Sequence, residues 1–488
     1  MKIAIVSSEA VPFAKTGGLA DVAGTLFRTF RQMGNDVVLF LPLYRSVRAQ
    51  YGRDLREIDT PFSIQLGGEE AAVRLFALDK MPFDSKAGRR PAGQSGRVLF
   101  VANDAFFDRE ELYGTADAAY ADNAQRFIFF SKAVTEAISR LGYEFDAVHC
   151  NDWQTALIPY YMKTLWRGAP AFAKTRSVFT IHNLGYQGIF PPEAMALIGL
   201  GWEYFTLHGL EFYGQVNLLK AGIAGADAIT TVSPTYAAEI LSAEYGFGLE
   251  GALSARRERL HGILNGIDYA EWTPYADPHL PSRYSSAHLA GKAWCRRTLV
   301  SEWKLSDGLS RPLIGFVGRL ADQKGVDLIA EAIPEMIRLG ANIILVGKGE
   351  ARLHNALSAL QDRFPGHMHL TIGFAEPHAH HVYAASDLFL MPSRYEPCGL
   401  GQMIAMRYGT IPVARRTGGL ADTIDHGRTG FLFDEPTAVA LTGSVREALA
   451  ALRNKSSWRK LVRAAMDEDF SWTRSAQQYL DLYQVGRQ

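Results

Sequence analysis

The feature that most constrains this chain is an alternation, repeated in two rounds, of short β-rich apolar runs with helical patterns. The first round reads KIAIVSS, then ADVAGTLFRTFRQMG, then DVVLFLP, with DAVHC, SVFTIHN, DAITTVS and RLHGILNG further on. Runs this short and this apolar, separated by helical stretches, predict a parallel sheet with helical crossovers. From Arg311 the pattern restarts with PLIGFVGRL, a helix over about 326–339, NIILVG, a second helix, HLTIGF, DLFLMP, TIPVARR and GFLF. At 488 residues the chain is too long for one ordinary core and fits two domains with a cleft. The expected class is α/β, with two doubly wound domains: residues 1–266, a Pro-, Ser- and Tyr-bearing linker over 267–310, residues 311–470, and a C-terminal helix over 471–488 that could pack back on the first domain. The stretch 67–95 reads as a hairpin plus an exposed loop.

Charge narrows the partners. Lys plus Arg and Asp plus Glu both number 51, which argues against broad capture of nucleic acid or an anionic membrane. No apolar stretch reaches the roughly 20 residues of a membrane span, and MKIAIVSSEAVPF reads as a first strand rather than a signal peptide. Cys150, Cys295 and Cys398 are widely spaced and suggest neither a disulfide framework nor a zinc knuckle, so a reducing, cytoplasmic setting is expected.

One internal repeat points to a ligand. Thr16–Asp21 and Thr417–Asp422 both read TGGLAD, each preceded by a cation, Lys15 or Arg416. Paired glycines before a helix let the backbone approach a ligand, and the helix N-terminus offers free amides to an anion. Two tight turns that simply need glycine are the plain alternative.

Further motifs carry chemistry. Arg319 and Lys324 follow the apolar run LIGFV, so two cations fall near the carboxyl end of a parallel sheet, where such folds bind ligands and where a diphosphate could be held. A surface ion pair with Asp322 or Asp327 would account for them otherwise. In RYEPCGLGQ, Glu396 precedes Pro397 and a glycine-led helix formed from Cys398, Gly399 and Leu400 onward; helix capping is the competing role for the carboxylate. His182 and Asn183 end the run SVFTI, and Asp152 and Asp21 either bond a ligand or cap the helices that follow them. His378, His380 and His381 form the densest histidine cluster, without an accompanying cysteine or acidic set of zinc-site spacing, and are expected on a helix surface. Asp467 and Asp469 spell DxD in a charged helical tail, and no GxxxxGK[ST] loop occurs. No metal or cofactor is expected.

In collinear order, KTGGLAD (15–21), HCNDWQTAL (149–157), FTIHNLGYQG (179–188), GRLADQKGVDL (318–328) and SRYEPCGLGQ (393–402) resemble the starch and bacterial glycogen synthase family over nearly the whole chain. The resemblance implies two Rossmann-like domains facing across a cleft, the GT-B arrangement, with the active site between them. It implies retaining transfer of glucose from ADP-glucose to the non-reducing end of an α-1,4-glucan. By the same resemblance Glu396 bonds donor-sugar hydroxyls and stabilises positive charge on the ring, His182 presents its backbone carbonyl to the reacting carbon, and Arg319 and Lys324 serve the diphosphate. Lys15, Gly17, Gly18, Asp21, Asp152, Asn183, Cys398, Gly399 and Leu400 are implied around the donor, with Tyr120, Asn265, Thr417 and Gly418 as further candidates. Two positions depart from the family pattern: Gly401 stands where a threonine is usual, and Asn151 where a histidine is. A transferase using UDP-glucose or another sugar nucleotide is the nearest alternative. A two-lobed glucan-binding protein would need a cleft and aromatics, but not Arg319, Lys324 and Glu396 together.

Overall fold

The structure is a computed structural model that describes residues 1–82, 96–115, 118–373 and 376–485. The loop expected at the end of 67–95 lies largely outside them. The chain divides into two compact units, Met1–Val232 with Ala237–Ile263 and Trp472–Gln488, and Ser233–Tyr236 with Leu264–Ser471.

The first unit is built on a nine-stranded sheet. Its order is Leu260–Gly262, Ala228–Thr231, Arg176–Ile181, Ala147–Asn151, Lys2–Val6, Asp36–Pro42, Gly96–Ala102, Glu69–Leu78 and Arg56–Leu66. The first seven run parallel, and the last two are each paired antiparallel to the strand before them. Ile3, Ala4, Ile5 and Val6 are fully buried, because a central parallel strand is covered on both faces and therefore reads as a continuous apolar run. The edge hairpin turns at Gly67 and Gly68, and inward Phe62, Ile64 and Leu66 alternate with exposed neighbours. The C-terminal helix Trp472–Gln484 belongs to this unit: the Tyr483 ring meets Phe30 at 5.8 Å, and its hydroxyl lies 2.7 Å from His149 Nδ1.

The second unit holds a six-stranded, all-parallel sheet ordered Met368–Ile372, Asn342–Gly347, Leu313–Val317, Leu388–Met391, Ile411–Arg415 and Phe431–Phe433. In chain order this is 3-2-1-4-5-6, the order of dinucleotide-binding sheets, whose direction reverses between Leu313–Val317 and Leu388–Met391. The stretch read from sequence as a linker packs as part of this unit. Its helix Ala290–Glu302 buries Leu299 and Val300 against Leu313, Ile344 and Val346, an apolar stripe hidden in a segment of mixed composition. No described helix is long and apolar enough to cross a membrane.

Candidate active site

In the second unit the loops after the two switch-point strands converge. Gly325 has φ +66, and a Cβ there would stand 2.1 Å from the Pro392 carbonyl oxygen. Only glycine lets the loop after Leu313–Val317 lie this close to the end of Leu388–Met391. The close approach sets Lys324 Nζ 2.6 Å from Glu396 Oε2, and Ser393 Oγ donates to the same oxygen at 2.9 Å. Arg319 projects from the same loop and donates to Gln323 Oε1 at 2.9 Å. Asp322 and Asp327, considered from sequence as partners for these cations, bond instead to Arg352 and Arg394. Glu396 does not cap a helix with its side chain; it is buried and faces Lys324.

The second TGGLAD copy meets the same segment by its backbone. A Cβ on Gly418 would lie 1.9 Å from the Glu396 carbonyl oxygen, and one on Gly419 would lie 2.2 Å from that of Cys398. Gly419 N–H donates to the Glu396 carbonyl at 3.1 Å, and Thr417 is buried beside it. Asp422 accepts from Thr235 N–H and Oγ1. Here the paired glycines serve backbone packing that positions Glu396, and Arg416 forms an exposed pair with Asp434. Cys398 is buried, which pushes its thiol up to about 12, and it bonds the Asn265 backbone. Such a thiol is packed, not nucleophilic. Asn265 keeps Oδ1 buried without a partner. Gly399 and Leu400 lead into the helix Gly401–Arg407. A Cβ at Gly401 would stand 3.1 Å from Phe389 and 3.4 Å from the Tyr383 hydroxyl, so bulky neighbours fill the space a threonine would use.

In the first unit the loop bearing the other copy is held from below. Buried Glu9 accepts from Thr16 N–H, from Thr16 Oγ1 at 2.8 Å, from Gly17 N–H at 3.3 Å and from the Tyr113 hydroxyl at 2.7 Å. A Cβ on Gly17 would meet nothing within 4 Å, so here, unlike in the second copy, the glycine faces open space. Gly18 opens the helix Gly18–Gln32, and Lys15 pairs with Asp21 at 2.7 Å with the lysine half exposed.

The switch point of this sheet, beside Lys2–Val6, also carries Asp152. This residue adopts φ +55, rare for a side-chain-bearing residue and often tolerated at functional positions. Its Oδ1 accepts His182 N–H at 2.8 Å, so it braces the next strand's end and does not cap a helix with its side chain. Burial pushes its carboxyl up to about 7, against backbone hydrogen bonds from His182 and Asn183. His182 is buried enough that its ring is pushed down to about 3 and stays neutral. Its Nε2 lies 2.9 Å from Asn151 Oδ1, and Asn151 Nδ2 donates to the Val6 carbonyl at 3.1 Å. That second bond orients the amide, so Nε2 carries the proton and Nδ1 the lone pair. Asn183 Oδ1 accepts Gly185 N–H. Tyr120 N–H donates at 2.9 Å to the carbonyl of Tyr113, the residue bonded to Glu9; its ring lies under Arg109 and Arg126, at 4.8 and 5.1 Å, and its hydroxyl contacts the Glu111 carbonyl.

Sequence reasoning missed Glu9, Tyr113, Ser393 and the partnership of Asn151 with His182. Glu9, an acid between the apolar strand KIAIV and the segment AVPF, is the one available signal. The histidine cluster also differs from expectation. Only part of it is surface: His380 is 1% exposed and stacks on Trp272 at 4.2 Å.

A mostly parallel and an all-parallel doubly wound sheet of GT-B type, with two cations and a carboxylate at the switch point of the second, point to a glycosyltransferase. Residues 2–255 match the model of the starch synthase catalytic domain, and 311–451 that of the glycosyl transferases group 1. The chain is 46% identical to a glycogen synthase of Thermodesulfovibrio yellowstonii, covering 99% of this chain and 97% of the relative. It is 44% identical to one of Syntrophotalea carbinolica, covering 99% and 98%. Its structure is similar to the catalytic domain of starch synthase IV from Arabidopsis thaliana bound to ADP and acarbose, with TM-score 0.87, 34% identity and 99% and 98% coverage. The chain belongs to the starch and bacterial glycogen synthase family.

Proposed function

We propose that the protein elongates glycogen by moving glucose from ADP-glucose, with retention of configuration, onto the non-reducing end of an α-1,4-glucan. The observation that carries this reading is the Lys324–Glu396 contact beside Arg319 at the switch point of the second sheet. Departure of ADP leaves charge on the diphosphate, and preorganised cations aimed at that charge lower the barrier. The Lys324 ammonium has three donors; one goes to Glu396 and two are left for phosphate oxygens. Arg319 adds a second fixed cation. Glu396, held by Lys324 and Ser393, presents its carboxylate to the sugar and offsets positive charge growing on the ring.

In the first unit, Lys15, Gly17, Gly18 and Asp21 are assigned to the donor, and Asp152, His182 and Asn183 to the sugar. His182 acts as a neutral imidazole, not as a cation, because burial keeps it unprotonated. The reaction needs no metal or cofactor in this reading. A cytoplasmic location goes with it, supported by three buried free thiols.

Donor screening tests the proposal. Purified protein with glycogen and either ADP-glucose or UDP-glucose is followed for nucleotide release and glucan growth, and the new linkages are digested with an α-1,4-specific hydrolase. ADP-glucose should be the better donor and the product fully digestible. Preference for UDP-glucose would move the chain to the alternative reading, and failure to extend glucan with either donor would remove the proposal.

A further inference from the structure

The second unit carries a cluster that the transfer reaction does not use. One ligand atom from each of His279, Glu376 and His380 lies within 4.8 Å of the others. Glu376 and His380 are four apart on the helix Glu376–Ala385, so they share one face. His279 faces them from the segment that follows Asp277.

Each imidazole is held. His380 Nδ1 lies 2.7 Å from Asp277 Oδ2, and that carboxylate also accepts the Tyr408 hydroxyl at 2.5 Å. Its other oxygen, Oδ1, accepts His279 N–H at 2.8 Å, so both oxygens of this side chain act as acceptors. An accepting oxygen at Nδ1 puts the ring proton there and leaves the lone pair on Nε2. That Nε2 is buried and has no hydrogen-bond partner. A buried ring nitrogen with a lone pair and nothing to accept from is an unmet cost. The His279 ring lies 4.7 Å from the His380 ring, and its backbone is pinned at both ends: N–H donates to Asp277 Oδ1, and the carbonyl accepts from His381 Nε2 at 2.7 Å. Glu376 is exposed and has three rotatable bonds with which to close on an ion.

We propose that His279, Glu376 and His380 bind one Zn²⁺ ion, with a solvent molecule as the fourth ligand. Two imidazoles and one carboxylate suit zinc, whereas calcium and magnesium require mostly oxygen ligands. The Asp277–His380 bond is the carboxylate–histidine arrangement that orients imidazole ligands of metals. Donors around an ion at 2.0–2.2 Å sit about 3.5 Å apart, so the cluster closes by a movement on the order of 1 Å, which the exposed glutamate can supply. The ion would staple the Asp277–His279 segment to the helix that precedes strand Leu388–Met391. Its role is structural and lies outside the reaction.

The test uses the full chain, stripped with EDTA, desalted, and titrated with ZnCl₂ by calorimetry and with CoCl₂ by visible absorption, without substrate. One Zn²⁺ per chain should bind, the melting temperature should rise by several degrees, and Co²⁺ should develop the intense d–d bands of four-coordinate geometry. His279→Ala and Glu376→Gln lie outside the core, so both should keep the wild-type circular dichroism. Each should weaken zinc binding by roughly 100-fold and abolish the cobalt bands. Absence of saturable zinc binding, or wild-type affinity in either variant, overturns the proposal. Because no donor or acceptor is present, this result is independent of the transfer activity.

Discussion

Lys324 Nζ stands 2.6 Å from Glu396 Oε2, across 72 residues of chain, with the carboxylate buried and the ammonium largely so. In the proposed reading these two groups serve two halves of one bond cleavage, and the contact lets each orient the other. Glu396→Gln should fold normally and lose turnover by several orders of magnitude, because the amide keeps the shape and removes the charge. Lys324→Ala leaves Glu396 buried with Ser393 as its remaining side-chain donor. The double variant should therefore be less impaired than the sum of the singles, with a coupling of about 1–3 kcal/mol in kcat/KM. Additive effects would mean that the pair does not act as a unit.

Glu9 is the second case of a residue that acts through others. It gathers Thr16, Gly17 and Tyr113 and thereby shapes the loop that carries Lys15. Glu9→Gln keeps a carbonyl oxygen for the Thr16 and Gly17 N–H groups but sets its NH₂ against the Thr16 and Tyr113 hydroxyls, which must turn to accept, so we expect a stability loss of about 0.5–1.5 kcal/mol and a raised KM for the donor. Lys15→Gln should raise the same KM with the melting temperature nearly unchanged. A Glu9→Gln enzyme with wild-type KM would separate the loop's shape from donor binding.

These contacts explain how much could be read in advance. The strands were legible because Ile3–Val6 or Ile343–Val346 are buried on both faces and so read as unbroken apolar runs. The TGGLAD and EPCGL segments were legible because backbone approach demands glycine locally. The two TGGLAD copies nevertheless use that freedom differently: Gly418 and Gly419 pack on Glu396–Cys398, while Gly17 faces open space. Nothing local could show this. Lys324–Glu396, His182–Asn151 and Glu9–Tyr113 are likewise set by which strand ends the topology makes neighbours. The helix Ala290–Glu302 reads as part of a linker because its buried stripe, Cys295, Leu299 and Val300, is narrow. His380 reads as a surface residue in sequence because its partner Asp277 lies 103 residues away.

His182 tests the role of a neutral ring. His182→Ala should be severely impaired, but less than Glu396→Gln, since the backbone carbonyl survives. Asn151→Asp puts a carboxylate at the protonated Nε2 and should raise the ring's affinity for a proton, adding an acid limb to the kcat profile that the wild type lacks. Wild-type kinetics in His182→Ala would remove the ring from the mechanism.

Stability should depend on pH in a defined sense. Burial holds His149 and His182 at about 3, below their unfolded value, so the native state binds fewer protons than the unfolded chain. Their contribution is complete above about 6.5 and is lost as pH falls toward 3, by up to about 1.4 kcal/mol per pH unit for each ring. Asp152, raised to about 7, works oppositely: its contribution is present below its unfolded value and is lost as pH rises through 7. Melting temperatures of the wild type and Asp152→Asn, measured from pH 5 to 8.5, should show the wild type losing ground to the variant as pH rises. A difference that is flat with pH would show that Asp152 is not held protonated.

In the proposed reaction fixed protein cations, not a metal, neutralise the departing diphosphate. The most direct measurement of this is initial-rate transfer from ADP-glucose to glycogen in excess EDTA, at a temperature well below unfolding, for the wild type and Arg319→Ala. The wild type should keep full activity under chelation, and Arg319→Ala should lose on the order of 2 to 4 kcal/mol of transition-state stabilisation and bind ADP more weakly. Activity abolished by EDTA and restored by magnesium or manganese, or an Arg319→Ala enzyme as fast as the wild type, would contradict that role of the cations.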